Sequence, residues 1–117
     1  MKVRLLWPLI LLSGCHGGDW RAQAIAHAEA QMRVEVNDPN ASFSRVQFTG
    51  DATTGQTCGF VKGRAGAEAP EKTGRFIVYI DETAGPFVEA GMGTQFMSQQ
   101  AFESAWRADC VREGYTS

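Results

Sequence analysis

Histidine is scarce in this chain of 117 residues, which contains only His16 and His27. Histidine is the commonest metal ligand and a frequent general base, and these two residues do not have the spacing of a zinc motif. No serine lies in a Gly-x-Ser-x-Gly motif, and no glycine-rich stretch has the lysine and Ser/Thr of a phosphate-binding loop. The sequence therefore predicts no metal, no cofactor and no enzymatic activity.

Carboxylate pairs are a further route to hydrolysis. Asp81 and Glu82 follow a predicted strand, and Glu103 and Asp109 lie on a predicted helix. A glycosidase needs two carboxyl groups on opposite sides of a cleft. The spacing of these four residues in the sequence does not indicate that any two of them are arranged in this way. We interpret them as solvated surface carboxylates, which are common on acidic proteins.

An excess of positive charge is also missing. The 11 Lys and Arg residues against 13 Asp and Glu give a formal charge of -2, and removal of Lys2 and Arg4 would lower it to about -4. Nucleic acids and bare anionic bilayers attract basic proteins, so neither is an expected partner. The apolar run Leu5–Leu12 is interrupted by Pro8 and is shorter than the roughly 20 residues of a membrane-spanning helix.

The N-terminus has the features of an export signal. Two cations precede the short apolar run, and Leu12-Ser13-Gly14 leads into Cys15, which is the order of regions in a signal peptide. The stretch resembles the lipobox of bacterial lipoproteins, in which the cysteine receives acyl chains such as palmitate. The resemblance implies that residues 1–14 are a signal peptide, that Cys15 is the lipidation site and that residues 15–18 are a short tether.

The expected location follows from this signal. The alternative, an ordinary secretory signal, would end in an Ala-x-Ala-like site, which is absent. His16 follows the cysteine, whereas many lipoproteins retained at the inner membrane have aspartate there. We therefore expect a lipid-anchored protein of the outer membrane that faces the periplasm.

Cys58 and Cys110 remain as an even pair in an oxidising compartment, where cysteine pairs form structural disulfides. We predict one bond between them. It would close a loop of about 52 residues and stabilise the fold by roughly 4 kcal/mol in the chain-entropy model. A catalytic or redox thiol is the alternative, but the chain has no Cys-x-x-Cys motif.

Residues 19–117 have the size of a single domain. Asp19 is expected to cap a first helix that ends at Asn37-Asp38-Pro39, because asparagine tolerates a left-handed conformation and the residue before proline avoids helical angles. Apolar residues recur at helical spacing along this segment: Ala22, Ile25, Ala28, Met32 and Val36.

Four strands are expected after this helix. In the first strand, a two-residue period separates Ser44, Val46 and Phe48 from Phe43, Arg45 and Gln47. The next three strands are expected at Gln56–Lys62, Arg75–Asp81 and Phe87–Met92. The third strand is the most apolar, so we expect it to be central and covered on both faces.

A last helix is predicted to begin after Ser98 and to end at Gly114. Its Phe102, Trp106 and Cys110 are four residues apart and therefore share one face.

A bond from Cys58 to Cys110 would lay this helix across the sheet, with Trp106 beside Phe60. The predicted fold class is α+β: an N-terminal helix, a four-stranded antiparallel sheet, and a C-terminal helix packed on the sheet and tied by a disulfide.

Three segments resemble a family of small bacterial envelope lipoproteins of unknown function. They are an Asp-Pro turn with a following phenylalanine, a Cys-Gly-x-Val strand and a Phe-rich strand, found here at Asp38–Val46, Gly55–Val61 and Arg75–Tyr79. The resemblance implies an envelope location and supplies no catalytic residues.

Two functional classes are left. The first is a non-catalytic module that binds a periplasmic protein or a cell-wall component, through the loop Gly63–Gly74 and the glycine-edged segment around Met92. The alternative is an inhibitor or immunity-type lipoprotein directed at a cell-wall hydrolase. Trp20 and Tyr115 are the aromatic residues least explained by a core, and we interpret them as edge packing rather than as a contact surface.

Cys15→Ser tests the anchor. The variant lacks the sulfur that receives lipid, so we expect it to move from the membrane pellet to the soluble periplasmic fraction. Immunoblotting of fractionated cells measures this, and a variant that stays in the pellet would contradict the lipobox assignment.

Overall fold

The computed structural model describes residues 19–64, 66–82, 84–89, 92 and 97–116. The predicted signal peptide, Cys15, the tether and the glycines at 91 and 93 lie outside these residues. The elements are α1 (Trp20–Glu35), β1 (Ser42–Thr49), β2 (Gln56–Gly63), β3 (Lys72–Tyr79), β4 (Phe87–Val88) and α2 (Gln99–Ala105), which continues as a π-helical segment, Trp106–Val111. The four strands form one antiparallel sheet in the order β1-β2-β3-β4. The predicted α+β fold is confirmed.

The two helices cover opposite faces of the sheet, so there are two cores. On the first face, Phe76 and Val78 of β3 pack with Ala28 and Met32 of α1. On the second face, Ile77 packs with residues of the C-terminal helix. Successive strand residues point to opposite faces, and Phe76, Ile77 and Val78 of β3 are all buried, so this apolar part of the strand is covered on both sides, as predicted.

A β-bulge interrupts β1. Ser44 and Gln47 are paired with residues two apart on β2, so Arg45 and Val46 together lie opposite Gly59. Arg45 has a left-handed backbone, with φ of 51°. A Cβ on Gly59 would lie 2.9 Å from the Cα of Val46, so the bulge requires glycine at this position.

The bulge makes the predicted alternation along β1 wrong. Phe43 and Val46 pack against the same first-face core, and Phe48 contacts Trp20 of α1 with ring centroids 5.1 Å apart. The extra residue shifts the side-chain period by one, so residues expected on opposite faces share one.

Three strands differ in their bounds from the prediction: β2 ends at Gly63 rather than Lys62, and β3 ends at Tyr79 rather than Asp81. β3 begins at Lys72 rather than Arg75, because backbone pairing with β2 continues through polar residues to Gly63. β4 ends at Val88 rather than Met92, and beyond it the side chain of Glu89 turns to bind Arg75.

Most predicted features of α1 are confirmed. Ala28, Met32 and Val36 are buried, and Asn37 ends the helix with φ of 60°. Asp19 is at the N-cap position but makes no capping hydrogen bond through its side chain.

The C-terminal helix lies across the second face, as predicted. Ser98 caps it by accepting a hydrogen bond from the Ala101 amide at 3.1 Å. An α-helix turns about 100° per residue, so Phe102 and Cys110 would drift apart by roughly 80°. The wider π turn that begins at Trp106 offsets this drift.

Cys58 and Cys110 form the predicted disulfide, with a Cα–Cα distance of 6.1 Å. Both residues are fully buried. Trp106 lies beside Phe60 with ring centroids 6.3 Å apart, which confirms the expected neighbours. The bond joins the C-terminal helix to a strand in the middle of the sheet.

The double variant Cys58→Ser/Cys110→Ser tests how much stability this bond supplies. Loss of a 52-residue loop closure is expected to remove roughly 4 kcal/mol and to lower the melting temperature by more than about 10 °C. Thermal unfolding of oxidised protein, with Cys15→Ser in both samples as a matched background, measures the difference. An unchanged melting temperature would contradict the expectation.

Candidate binding surface

The direction of α1 defines two ends of the domain. Its first residue, Trp20, follows the predicted tether and contacts Phe48 near the β1–β2 turn; we call this the proximal end. Its 16 residues extend about 24 Å to Glu35. The opposite end, which we call the distal end, contains residues 36–41 and the part of the β2–β3 loop at 64 and 66–71.

Asp38 organises the distal end. Its Oδ1 accepts the backbone N–H of Asn40 at 2.9 Å, and its Oδ2 accepts the backbone N–H of Arg64 at 2.8 Å. The bonds from Arg64 and Asn40 lower the pKa of Asp38 below its ordinary value. This carboxylate therefore joins the turn after α1 to the β2–β3 loop and is already satisfied by its own chain.

Two shallow grooves flank this turn. One has a volume of about 400 Å³ and is lined by Ala30, Arg33, Val34, Asn37, Asp38 and Pro39. The second, of about 260 Å³, shares the turn and extends to Arg64 and Gly66. Val34 is 78% exposed, which is unusual for a large aliphatic residue at the edge of a groove. The grooves are open and match an extended segment better than an enclosed small molecule.

Met92, at the centre of the second segment proposed for binding, packs against β3. Gly74, the last residue of the predicted loop, lies within β3, and a Cβ on it would lie 2.7 Å from the sulfur of Met92. Met92 also packs at the edge of the first-face core. Its contact is therefore with the strand rather than with the loop.

A charged cluster around Arg75, which the sequence did not indicate, connects β3 to the C-terminal helix. The Arg75 guanidinium donates to Glu89 at 2.8 Å and to both oxygens of Glu103. Its carbon lies 5.4 Å from the Phe102 ring and 5.2 Å from the Trp106 ring. Glu103 was expected to be a surface carboxylate; its side chain is 40% exposed, and it also forms an ion pair with Arg75, which was not expected.

The cluster holds Glu89 in its charged form. Burial opposes the charge and would raise the pKa of Glu89, but hydrogen bonds from the side chain and backbone of Arg75 and from Gln99 outweigh it, and the pKa falls to about 2. The same carboxylates raise the pKa of Arg75. Both carboxylates pair with the single guanidinium, so the cluster stabilises the fold and has one more negative than positive charge.

Two other predicted surface carboxylates also have partners. Asp109 accepts a hydrogen bond from the Tyr79 hydroxyl at 2.5 Å, and burial followed by this bond raises the pKa of Tyr79. Glu82 lies 3.1 Å from His27 on the surface. Within the described ranges, no group of three or more His, Cys, Asp or Glu residues has an arrangement that could hold a metal ion.

The two unexplained aromatic residues are packed, as expected. Tyr115 is 6% exposed, lies 4.8 Å from Trp106 by ring centroid and donates to the Arg45 carbonyl at 2.8 Å. Trp20 packs edge-on against Phe48.

No protein-family model, curated protein or solved structure matches the chain. No helix among the residues that the structure describes is long and apolar enough to cross a bilayer.

Glu89→Gln tests the charged cluster through pH. The folded-state pKa of Glu89, about 2, is below its ordinary value of 4.5, so its charge stabilises the fold above pH 4.5, and this contribution is lost as pH falls toward 2. We expect the variant to lose about 1–2 kcal/mol in the free energy of unfolding at pH 7, with the difference shrinking as the pH falls from 4.5 to 2.

Urea unfolding at pH 7, 4 and 2.5 measures this, and Glu68→Gln, at an exposed loop position, is the matched control. A difference that stays constant with pH would contradict the assignment.

Proposed function

We propose that this protein is a lipid-anchored, non-catalytic binding module of the bacterial cell envelope. Cys15 would hold it at the outer membrane, with the domain facing the periplasm. The order of residues in the first 15 positions supports this location, as does the buried disulfide, because structural disulfides persist in oxidising compartments. The resemblance to small envelope lipoproteins agrees with it.

The separation of the two ends of the domain is the main support for a binding role. The predicted tether leads into Trp20 at the proximal end, whereas the open grooves beside Val34 and Arg64 lie about 24 Å away along α1. A domain that is anchored at its proximal end presents the grooves at its distal end away from the membrane. Loops on a rigid sheet are a common location for binding residues in small domains.

The proposed partner is a periplasmic protein or a cell-wall component that approaches the distal end. Exposed Val34 supplies apolar area, and Arg33 and Arg64 are among the residues that line the grooves. Aliphatic and arginine side chains around an open groove are typical of protein recognition. The formal charge of -2 argues against nucleic acid.

An inhibitor of a cell-wall hydrolase is the second candidate. The exposed cation Lys62 lies between Ser42 and Thr73 on the sheet, and this chemistry complements the carboxylate pair that glycosidases use. Lysozyme assays with the purified protein separate the candidates: inhibition at stoichiometric concentration favours the inhibitor, and unchanged activity favours the module.

Site-specific photo-crosslinking in cells tests the binding role on the full lipidated chain. Val34 and Val111 are 78% and 49% exposed, so they form a matched pair on and off the distal groove. With a photoreactive residue at Val34, we expect one discrete adduct, identified by mass spectrometry, at least about fivefold stronger than at Val111 because only Val34 borders the groove.

Absence of an adduct at Val34, or equal adducts at both positions, would contradict the distal surface. Turnover of a cell-wall substrate by the purified protein would contradict a non-catalytic role.

A further inference from the structure

The C-terminal helix covers only part of the second sheet face. Trp106 and Cys110 lie over Cys58 and the edge of Phe60. Beyond Phe60, the next position on this face of β2 is Lys62, which is exposed. Among the residues that the structure describes, no helix lies over the distal part of this face.

This uncovered part presents a row of polar side chains across three strands. Ser42 is paired with Lys62, and Lys62 is paired with Thr73, so two hydroxyl groups flank one ammonium group. Directly paired residues lie on the same face of a sheet. Ser44 occupies the next row, opposite Phe60. A depression of about 300 Å³ is lined by Ser42, Phe43, Ser44, Lys62 and Thr73.

The β-bulge adds a second cation to the same surface. The Arg45 guanidinium carbon lies 5.7 Å from the centroid of the Phe60 ring. The Arg45 carbonyl accepts a hydrogen bond from the Tyr115 hydroxyl, and Tyr115 packs on Trp106. The bulge, and with it Arg45, is therefore held in place by the C-terminal segment that the disulfide fixes.

Neither Arg45 nor Lys62 has an ion pair within the described part of the chain. Among the described residues, no carboxylate oxygen lies within 4.0 Å of a charged nitrogen of Arg45 or Lys62, whereas Arg75 on the same face pairs with two glutamates. We call the surface formed by Ser42, Ser44, Arg45, Lys62 and Thr73 the lysine face. It is locally positive on a chain whose formal charge is negative.

We propose that the lysine face binds an extended acidic segment of a partner protein, with carboxylates held by Lys62 and Arg45 and the hydroxyl groups donating to carboxylate or carbonyl oxygens. This inference rests on the proposed binding function and names the chemistry of its partner. The depression is open and is lined by residues of three neighbouring strands, which fits a chain segment better than an enclosed small molecule, and charge complementarity selects acidic side chains. The surface lies at the distal end, whereas the proposed anchor lies at the proximal end, so the bilayer that holds Cys15 is not its partner.

Peptide titration of the full-length Cys15→Ser protein tests this. The probe is an eight-residue peptide of alternating glutamate and serine, which places carboxylates on one side of an extended chain, and its control replaces each glutamate by glutamine. We expect saturable binding of the acidic peptide that is at least about tenfold tighter than that of the glutamine peptide and that weakens with added salt. Backbone amide shifts in an NMR titration should be largest around Ser42, Lys62 and Thr73.

Charge reversals locate the binding surface. Lys62→Glu and Arg45→Glu are each expected to weaken peptide binding at least about fivefold, and the neutral variant Lys62→Gln provides the same test without a new charge. Arg21→Glu is the matched control, because Arg21 lies at the proximal end over Trp20, and it should change binding less than about twofold.

Equal binding of the two peptides, or binding that survives Lys62→Gln, would overturn the inference. So would binding to vesicles containing phosphatidylglycerol without binding to the acidic peptide. If the acidic peptide fails to bind while Val34 still forms its adduct, the acidic-segment inference fails and the proposed binding function stands.

Discussion

The covalent bond between Cys58 and Cys110 is the constraint on which the rest of the structure depends. It joins the C-terminal helix to the buried part of β2, where Cys58 packs in the second-face core and Val61 in the first-face core under α1. The helix then carries Tyr115 to the bulge in β1 and Glu103 to Arg75. By positioning the C-terminal helix, this one bond determines which part of the second sheet face is buried in a core and which part is left uncovered.

The pattern of residue types along the sequence was sufficient to predict the helices, the central strand and the disulfide between the two cysteines. It failed at the bulge, because the residue type of Arg45 does not indicate a left-handed backbone. The extra residue in the bulge reverses the face of the sheet to which each later side chain of β1 points. The cluster around Arg75 was also missed, because its glutamates come from separate elements and meet only after the helix is placed. These features depend on tertiary contacts, which sequence periodicity does not report.

The candidate binding surfaces also combine features that the sequence predicts with features that depend on tertiary contacts. The distal position of the β2–β3 loop follows from an antiparallel hairpin, which the sequence predicts well. The contact of Met92 with Gly74 of β3 could not be predicted. The lysine face depends on the register that pairs Lys62 with Ser42 and Thr73, and on the bulge that moves Arg45. Binding surfaces have no fixed residue spacing, so they are recognised from the assembled sheet rather than from the chain.

The most direct test of the whole account is mass spectrometry of the native protein, isolated from the envelope after thiols are blocked in intact cells. The account predicts a mature N-terminus at an acylated Cys15 and a crosslinked peptide pair containing Cys58 and Cys110, with no blocked thiol on either. An intact leader, or alkylated Cys58 and Cys110, would contradict it.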